Sequence, residues 1–196
     1  MKPRKNMLGL CRQYVKESFS YIAESRNYIY IMIGFFVLST IAGFYFVGRL
    51  GFLDAVLKEL LDKTEGLNGI NLILFIFTNN ISVAFGSIFL GVILGVFPLI
   101  NSISNGVVLG YVLARVFAVS GFSEFWRILP HGVFELPAIF ISLGLGLRLG
   151  MSVFSKSIVK DFRHNFAGSV KVFFFVVMPL LVLAAIIEGL LIILLK

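Results

Sequence analysis

The chain has 196 residues, 59% of them hydrophobic and 14% charged, with a formal net charge of +7. A mean hydropathy of +0.99 excludes an ordinary soluble globule, and the apolar blocks reach the roughly 20 residues that a spanning helix needs. Stretches such as YIYIMIGFFVLSTIAGFYFVG lack the alternation of barrel strands, so the fold class is all-α: a polytopic helical membrane protein with about five transmembrane helices plus amphipathic interfacial helices.

Residues 1–27 form a basic N-terminal segment, and Leu8, Val15, Phe19 and Ile22 give it a weak apolar stripe. It precedes a single transmembrane domain over 28–196. The spans are expected at about 28–48, 69–98, 102–120, 128–150 and 170–195. The first reads as a retained signal anchor, too long for a cleaved signal core. The second is long for one crossing, so tilting or a break near Asn79-Asn80 is expected. Between the spans, residues 50–64 and 151–166 read as interfacial helices. In the former, Leu53, Val56, Leu57, Leu60 and Leu61 share one face, with Asp54, Lys58, Glu59 and Lys63 in i,i+4 pairs on the other. In the latter, Met151, Phe154, Ile158, Phe162 and Phe166 oppose Lys156, Lys160 and Arg163, a pattern suited to anionic lipid headgroups and not to nucleic acid.

Charge sets the expected orientation. Lys2, Arg4, Lys5, Arg12, Lys16 and Arg26 precede the first span, and Arg148, Lys156, Lys160, Arg163 and Lys171 surround the last loop. Five spans place both groups on one side, which the positive-inside rule makes cytoplasmic. The protein is then a multi-pass protein of the cell membrane with an extracytoplasmic C-terminus.

The decapeptide ILPHGVFELP, residues 128–137, puts a base and an acid inside the fourth span. Pro130 suits a first helical turn, and His131 and Glu135 then stack at i,i+4. Pro137 cannot donate to the Val133 carbonyl, so a kink and a polar notch are expected there. An ionisable group in hydrocarbon costs at least ~2.5 kcal/mol and asks for a partner. Counted from the outer span ends, His131 lies at ~5 Å, Arg115 at ~8 Å, Glu135 and Glu188 at ~10 Å and Asn79 at ~15 Å. One outer-half cluster of His131, Glu135, Glu188, Arg115, Asn79 and Asn80 would serve as an ion or solute site or a proton relay. Each member also has a plainer reading: a His131–Glu135 pair that only fixes the bundle, a Glu188–Arg115 ion pair between helices, and Asn79 and Asn80 hydrogen-bonded across helices.

Small residues four apart, Gly91/Gly95, Gly106/Gly110, Gly146/Gly150 and Ala185/Gly189, permit close helix packing, within the chain or between copies. Together with Gly132, Pro130 and Pro137, they form the expected packing and kink set, and Asn101 and Asn105 read as helix caps. The tripeptide GVF at 95–97 and 132–134 is a chance repeat in so narrow a composition. The one cysteine, Cys11, permits no intramolecular disulfide. His164 is expected across the membrane from His131, and HExxH, GxSxG, phosphate-loop and dinucleotide signatures are absent. No metal or other cofactor is expected, and an enzyme is less favoured than a non-enzyme.

The segments FTNNISVAFGSIFLGVILGVFPLINSISNGVVLG, PHGVFELPAIFISLGLGLRLG and LVLAAIIEGLL resemble the stage II sporulation protein M family, with HGVFELPAI the most specific part. In spore formers the family member is a multipass component working with peptidoglycan-degrading partners, and relatives, archaeal ones included, occur where no spores form. The resemblance maps the family's polar positions onto Asn79 and Asn80, Asn105 and Gly106, His131, Gly132 and Glu135, and Glu188. Three functions follow as expectations. The leading one is a small transporter or channel, homo-oligomeric with a dimer favoured. The alternative is a scaffold recruiting envelope-remodelling partners, and the third is an intramembrane metal-dependent enzyme.

Overall fold

The computed structural model describes the backbone of residues 7–64, 66–67, 69–121 and 125–194, and side chains there except 7–8, 60–61, 125–131 and 188–194. Among the described residues every regular element is helical: α1 (Met7–Glu24), α2 (Arg26–Tyr45), α3 (Leu53–Thr64), α4 (Gly69–Phe89), α5 (Val96–Ser120), α6 (Phe125–Met151), α7 (Ile158–Val172) and α8 (Met178–Leu194). Five stretches are long and apolar enough to cross a membrane: 26–45, 69–92, 96–120, 132–154 and 158–187.

Several expected boundaries are corrected. The second span does not break at Asn79-Asn80, since α4 runs through both. The chain turns at 90–95 instead, where Leu94 and Gly95 take φ values of 53° and 70°, and α5 begins at Val96, not near 102. Glycine adopts this left-handed backbone without a Cβ penalty, whereas Leu94 is strained there. Asn101 and Asn105 therefore lie inside α5 and cap nothing. Their Nδ2 groups donate to the Phe97 and Asn101 carbonyls, one turn back, at 3.2 and 2.9 Å. Pro130 is not in a first turn either, because α6 already starts at Phe125. The interfacial helix expected at 151–166 is not separate. Met151 ends α6, and α7 passes through a five-residue π turn, Phe173–Val177, into α8. Pro179, which has no N–H to give, follows that turn.

Glycine decides the helix crossings. On α2, Gly43 meets the Val107 backbone of α5, while Gly106 and Gly110 of α5 meet Phe36, Ser39 and Thr40 of α2. At the other crossing, Gly146 of α6 packs on the Ser87 carbonyl and the Pro98 ring, and Gly91 and Gly95 receive Gly146 and Gly150. A methyl on any of these but Gly95 would overlap backbone or a fixed ring, and at Gly95 it would meet the Leu147 side chain on a left-handed backbone, so the three glycine pairs are spent inside the chain. Ser102 Oγ adds a cross-helix bond to the Met32 carbonyl at 2.8 Å. Ile88, Leu143, Leu145, Val177 and Leu181 fill the space among α4, α6 and α8.

Candidate functional site

Of the residues expected in one polar layer, those whose side chains are described differ in exposure and in partners. Glu135 lies half-buried on α6, one helical turn beyond His131. The side chains of His131, Glu188 and Gly189's neighbours to the C-terminus lie outside the described residues, as does that of Pro130. Asn79 is exposed on α4, whereas Asn80 is half-buried beside it. Pro137 is exposed within an unbroken α6, and Gly132 has only the Leu136 side chain near it, so it makes no close crossing. Among the described residues, the carboxyl group engaging Arg115 is Asp54, which sits on α3 in a segment expected to form i,i+4 pairs.

That contact is a lock between α3 and α5. Tyr111, fully buried one turn before Arg115, donates its hydroxyl to Asp54 Oδ1 at 2.7 Å. Arg115 Nε donates to the same hydroxyl at 3.1 Å, and an Arg115 amino group donates to Asp54 Oδ2. The guanidinium also lies 5.3 Å from the Tyr111 ring centre, a cation–π position. The Tyr111 hydroxyl, with Arg115 adding to it, holds the Asp54 carboxyl below the usual carboxylate range. On the same helix, Lys63 and Glu59 make the expected i,i+4 pair at 2.7 Å, which lowers the Glu59 pKa. Both side chains are exposed, so this pair adds little stability.

At the opposite end of the bundle a second lock joins α1, α2, α6 and α7. Arg148, only 15% exposed, donates to Ser25 Oγ at 2.7 Å, lies 3.5 Å from a Glu24 carboxylate oxygen and covers the Tyr21 ring at 4.3 Å. Ser25 passes its own proton to the Tyr21 carbonyl at 2.7 Å. The Tyr21 hydroxyl is shared between the backbone and side-chain oxygens of Asn165, both at 3.1 Å, and Asn165 Nδ2 donates to Ser152 Oγ at 2.8 Å. Burial pushes the Tyr21 phenol above its ordinary pKa, keeping it a neutral donor. Nearby, Lys171 bonds Glu17 at 2.6 Å, and Glu17, Ser20, Tyr21, Glu24, His164 and Lys171 help line a recess of about 260 Å³ between α1 and α7.

Sequence reasoning missed this second lock because its members are spread over four segments, and Tyr21, Ser25 and Asn165 look ordinary singly. Arg148 carried the available signal: a cation at the last turn of an apolar helix needs a partner. Among the described residues, no group of three His, Cys, Asp or Glu side chains is placed to hold a metal ion. The polar groups of these two locks fasten helices to one another.

No solved structure matches the chain. One similar protein, described as Uncharacterized protein MJ0706 of Methanocaldococcus jannaschii, is 34% identical over 95 residues, or 48% of this chain. The aligned part spans 41% of that relative's length, so the likeness covers less than half of it. A family model, Stage II sporulation protein M, matches residues 32–191, which takes in most of the first apolar stretch, the other four whole, the glycine crossings and the HGVFELPAI segment. This multipass membrane protein belongs to the stage II sporulation protein M family.

Proposed function

We propose that the protein is a membrane scaffold: a stiff helical platform that holds a surface helix at each end of its bundle for other envelope components. The observation carrying this reading is the use of the charged residues at the helix ends. Arg115 and Arg148 are both committed to holding α3 and α1 in place. Arg115, expected in a transport site, is engaged by Asp54 and Tyr111. The positive-inside rule assigns α1 and α7 to the cytoplasmic face of the cell membrane and α3 to the outer face. Exposed Lys156, Lys160 and Arg163 on the inner side suit anionic headgroups. The exposed polar face of α3, with Lys58, Glu59, Asp62 and Lys63, is the surface offered to an envelope-remodelling partner.

Co-purification from native membranes tests the reading. A stoichiometric partner recovered with the wild type should be lost when those four α3 residues are changed to Ala, with the bundle's thermal stability unchanged. Recovery of no stoichiometric partner from either protein would contradict it.

A second reading, transport of a proton, ion or small polar solute, keeps one observation in its favour: Glu135 is a half-buried carboxyl within a span, with His131 one turn away. It predicts flux in liposomes holding only the purified protein, abolished by Glu135→Gln with folding intact. Liposomes no leakier than empty ones would remove it.

A further inference from the structure

Helix α4 buries Ala84, Ser87 and Ile88 against its neighbours, chiefly α6 and α8. Its other side exposes Asn71, Leu74, Thr78, Ser82 and Phe85, spaced by three and four so that they form one stripe, with exposed Asn79 on its flank, three residues before Ser82. The outward residues of α2, by contrast, are Tyr30, Ile31, Phe35, Val37, Leu38 and Ile41, an ordinary lipid-facing set. The α4 stripe puts polar groups where a lone helix would meet hydrocarbon.

Thr78 and Ser82 satisfy their hydroxyl protons within the helix, on the Leu74 and Thr78 carbonyls at 2.5 and 2.6 Å. Asn79 does not satisfy its carboxamide. Among the described residues its one bond runs from Nδ2 to Asn80 Oδ1 at 3.4 Å, the outer limit of a hydrogen bond, leaving a second N–H and its own carbonyl oxygen open. Asn79 is midway along Gly69–Phe89, ~15 Å from either helix end, beyond the reach of headgroup water. An open amide there carries a cost that a neighbouring helix relieves.

We propose that this stripe is an interface between two copies of the chain, paired across a two-fold axis beside Asn79. A carboxamide is donor and acceptor at once, so the same residue on a second copy completes it, and a two-fold axis brings identical residues together. Thr78 and Ser82, small and four apart, let the two helices approach at that level. The glycine pairs cannot supply this contact because they are consumed within the chain. The inference stands apart from the scaffold reading, since either a scaffold or a transporter can be built from such a pair.

The test uses full-length protein carrying Cys11→Ser, reconstituted in liposomes at low protein-to-lipid ratio. Ser82→Cys should cross-link to a dimer on oxidation, while Leu38→Cys on the exposed face of α2 should not. Single-molecule photobleaching should show dimers whose association is weakened roughly 3- to 30-fold by Asn79→Leu, the range for interhelical polar contacts, and largely retained by Asn79→Gln. Monomers at every density, equal cross-linking at the two cysteines, or an Asn79→Leu dimer as tight as wild type would overturn the proposal. Should Asn79→Leu fail to fold, the cross-linking contrast decides alone.

Discussion

A methyl group on Gly146 would meet the Ser87 carbonyl and the Pro98 ring at once, with Pro98 Cγ 2.8 Å from the new atom. Neither neighbour can swing away, because one is helix backbone and the other a buried ring. Gly146→Val should therefore lower stability by at least about 1–3 kcal/mol, seen as a lower thermal midpoint of the detergent-solubilised protein. Gly34→Ala is the control, since open space surrounds Gly34 and alanine is the better helix former. Asp54 gives a residue-scale prediction of a different kind. Its carboxyl pKa is lowered in the fold, so its contribution to docking α3 is complete above the ordinary carboxylate value of about 4. It is lost as pH falls through the lower folded value. Amide-exchange protection of α3, corrected for intrinsic rates, should hold from neutral pH to that point and then fall. In Asp54→Asn the dependence should be flat, and an unchanged profile in that variant would assign the docking to other contacts.

At the scale of elements, α1 is held on α7 by the buried bonds between Tyr21 and Asn165, and its end is held on α6 by Arg148. Tyr21→Phe removes only the shared hydroxyl bond and should cost about 1 kcal/mol, whereas Arg148→Met removes a charged donor and should cost roughly 1.5–3 kcal/mol. Limited proteolysis of α1 in the folded protein should rank the variants in that order. The number and type of elements were readable because hydropathy and period register both, and α3 and the first span fell within a few residues of their expected ends. The turn at 90–95 was hidden because Leu90, Val92, Ile93 and Leu94 are as apolar as the spans they join, so only Gly95 marks it. The run from α7 into α8 was misread because the amphipathic pattern stops near residue 166 while the backbone helix does not. The glycine spacing pointed to close packing, and the structure supplied the partners. The candidate site was less legible. Depth along a helix can be counted, but its rotation cannot, and rotation sends Asn79 outward, Asn80 inward and Arg115 toward Asp54.

For the molecule as a whole, glycine contacts join α2 to α5, α6 to the α4–α5 turn and, through Gly144 on the Ile29 backbone, α6 to α2, and a polar lock stands at each end of the bundle. Close backbone contact leaves those crossings few alternative packings, so the surface helices are presented in fixed places and not on loose tethers. In the proposed scaffold this rigidity serves presentation, with the polar face of α3 as the surface presented. The most direct measurement is photo-cross-linking in native membranes from a residue replacing Lys58, exposed on that face. One discrete adduct is expected, and it should disappear when Asp54→Asn and Arg115→Met release α3, with the protein still folded and inserted. No adduct from that position, or one indifferent to the release of α3, would contradict the scaffold reading.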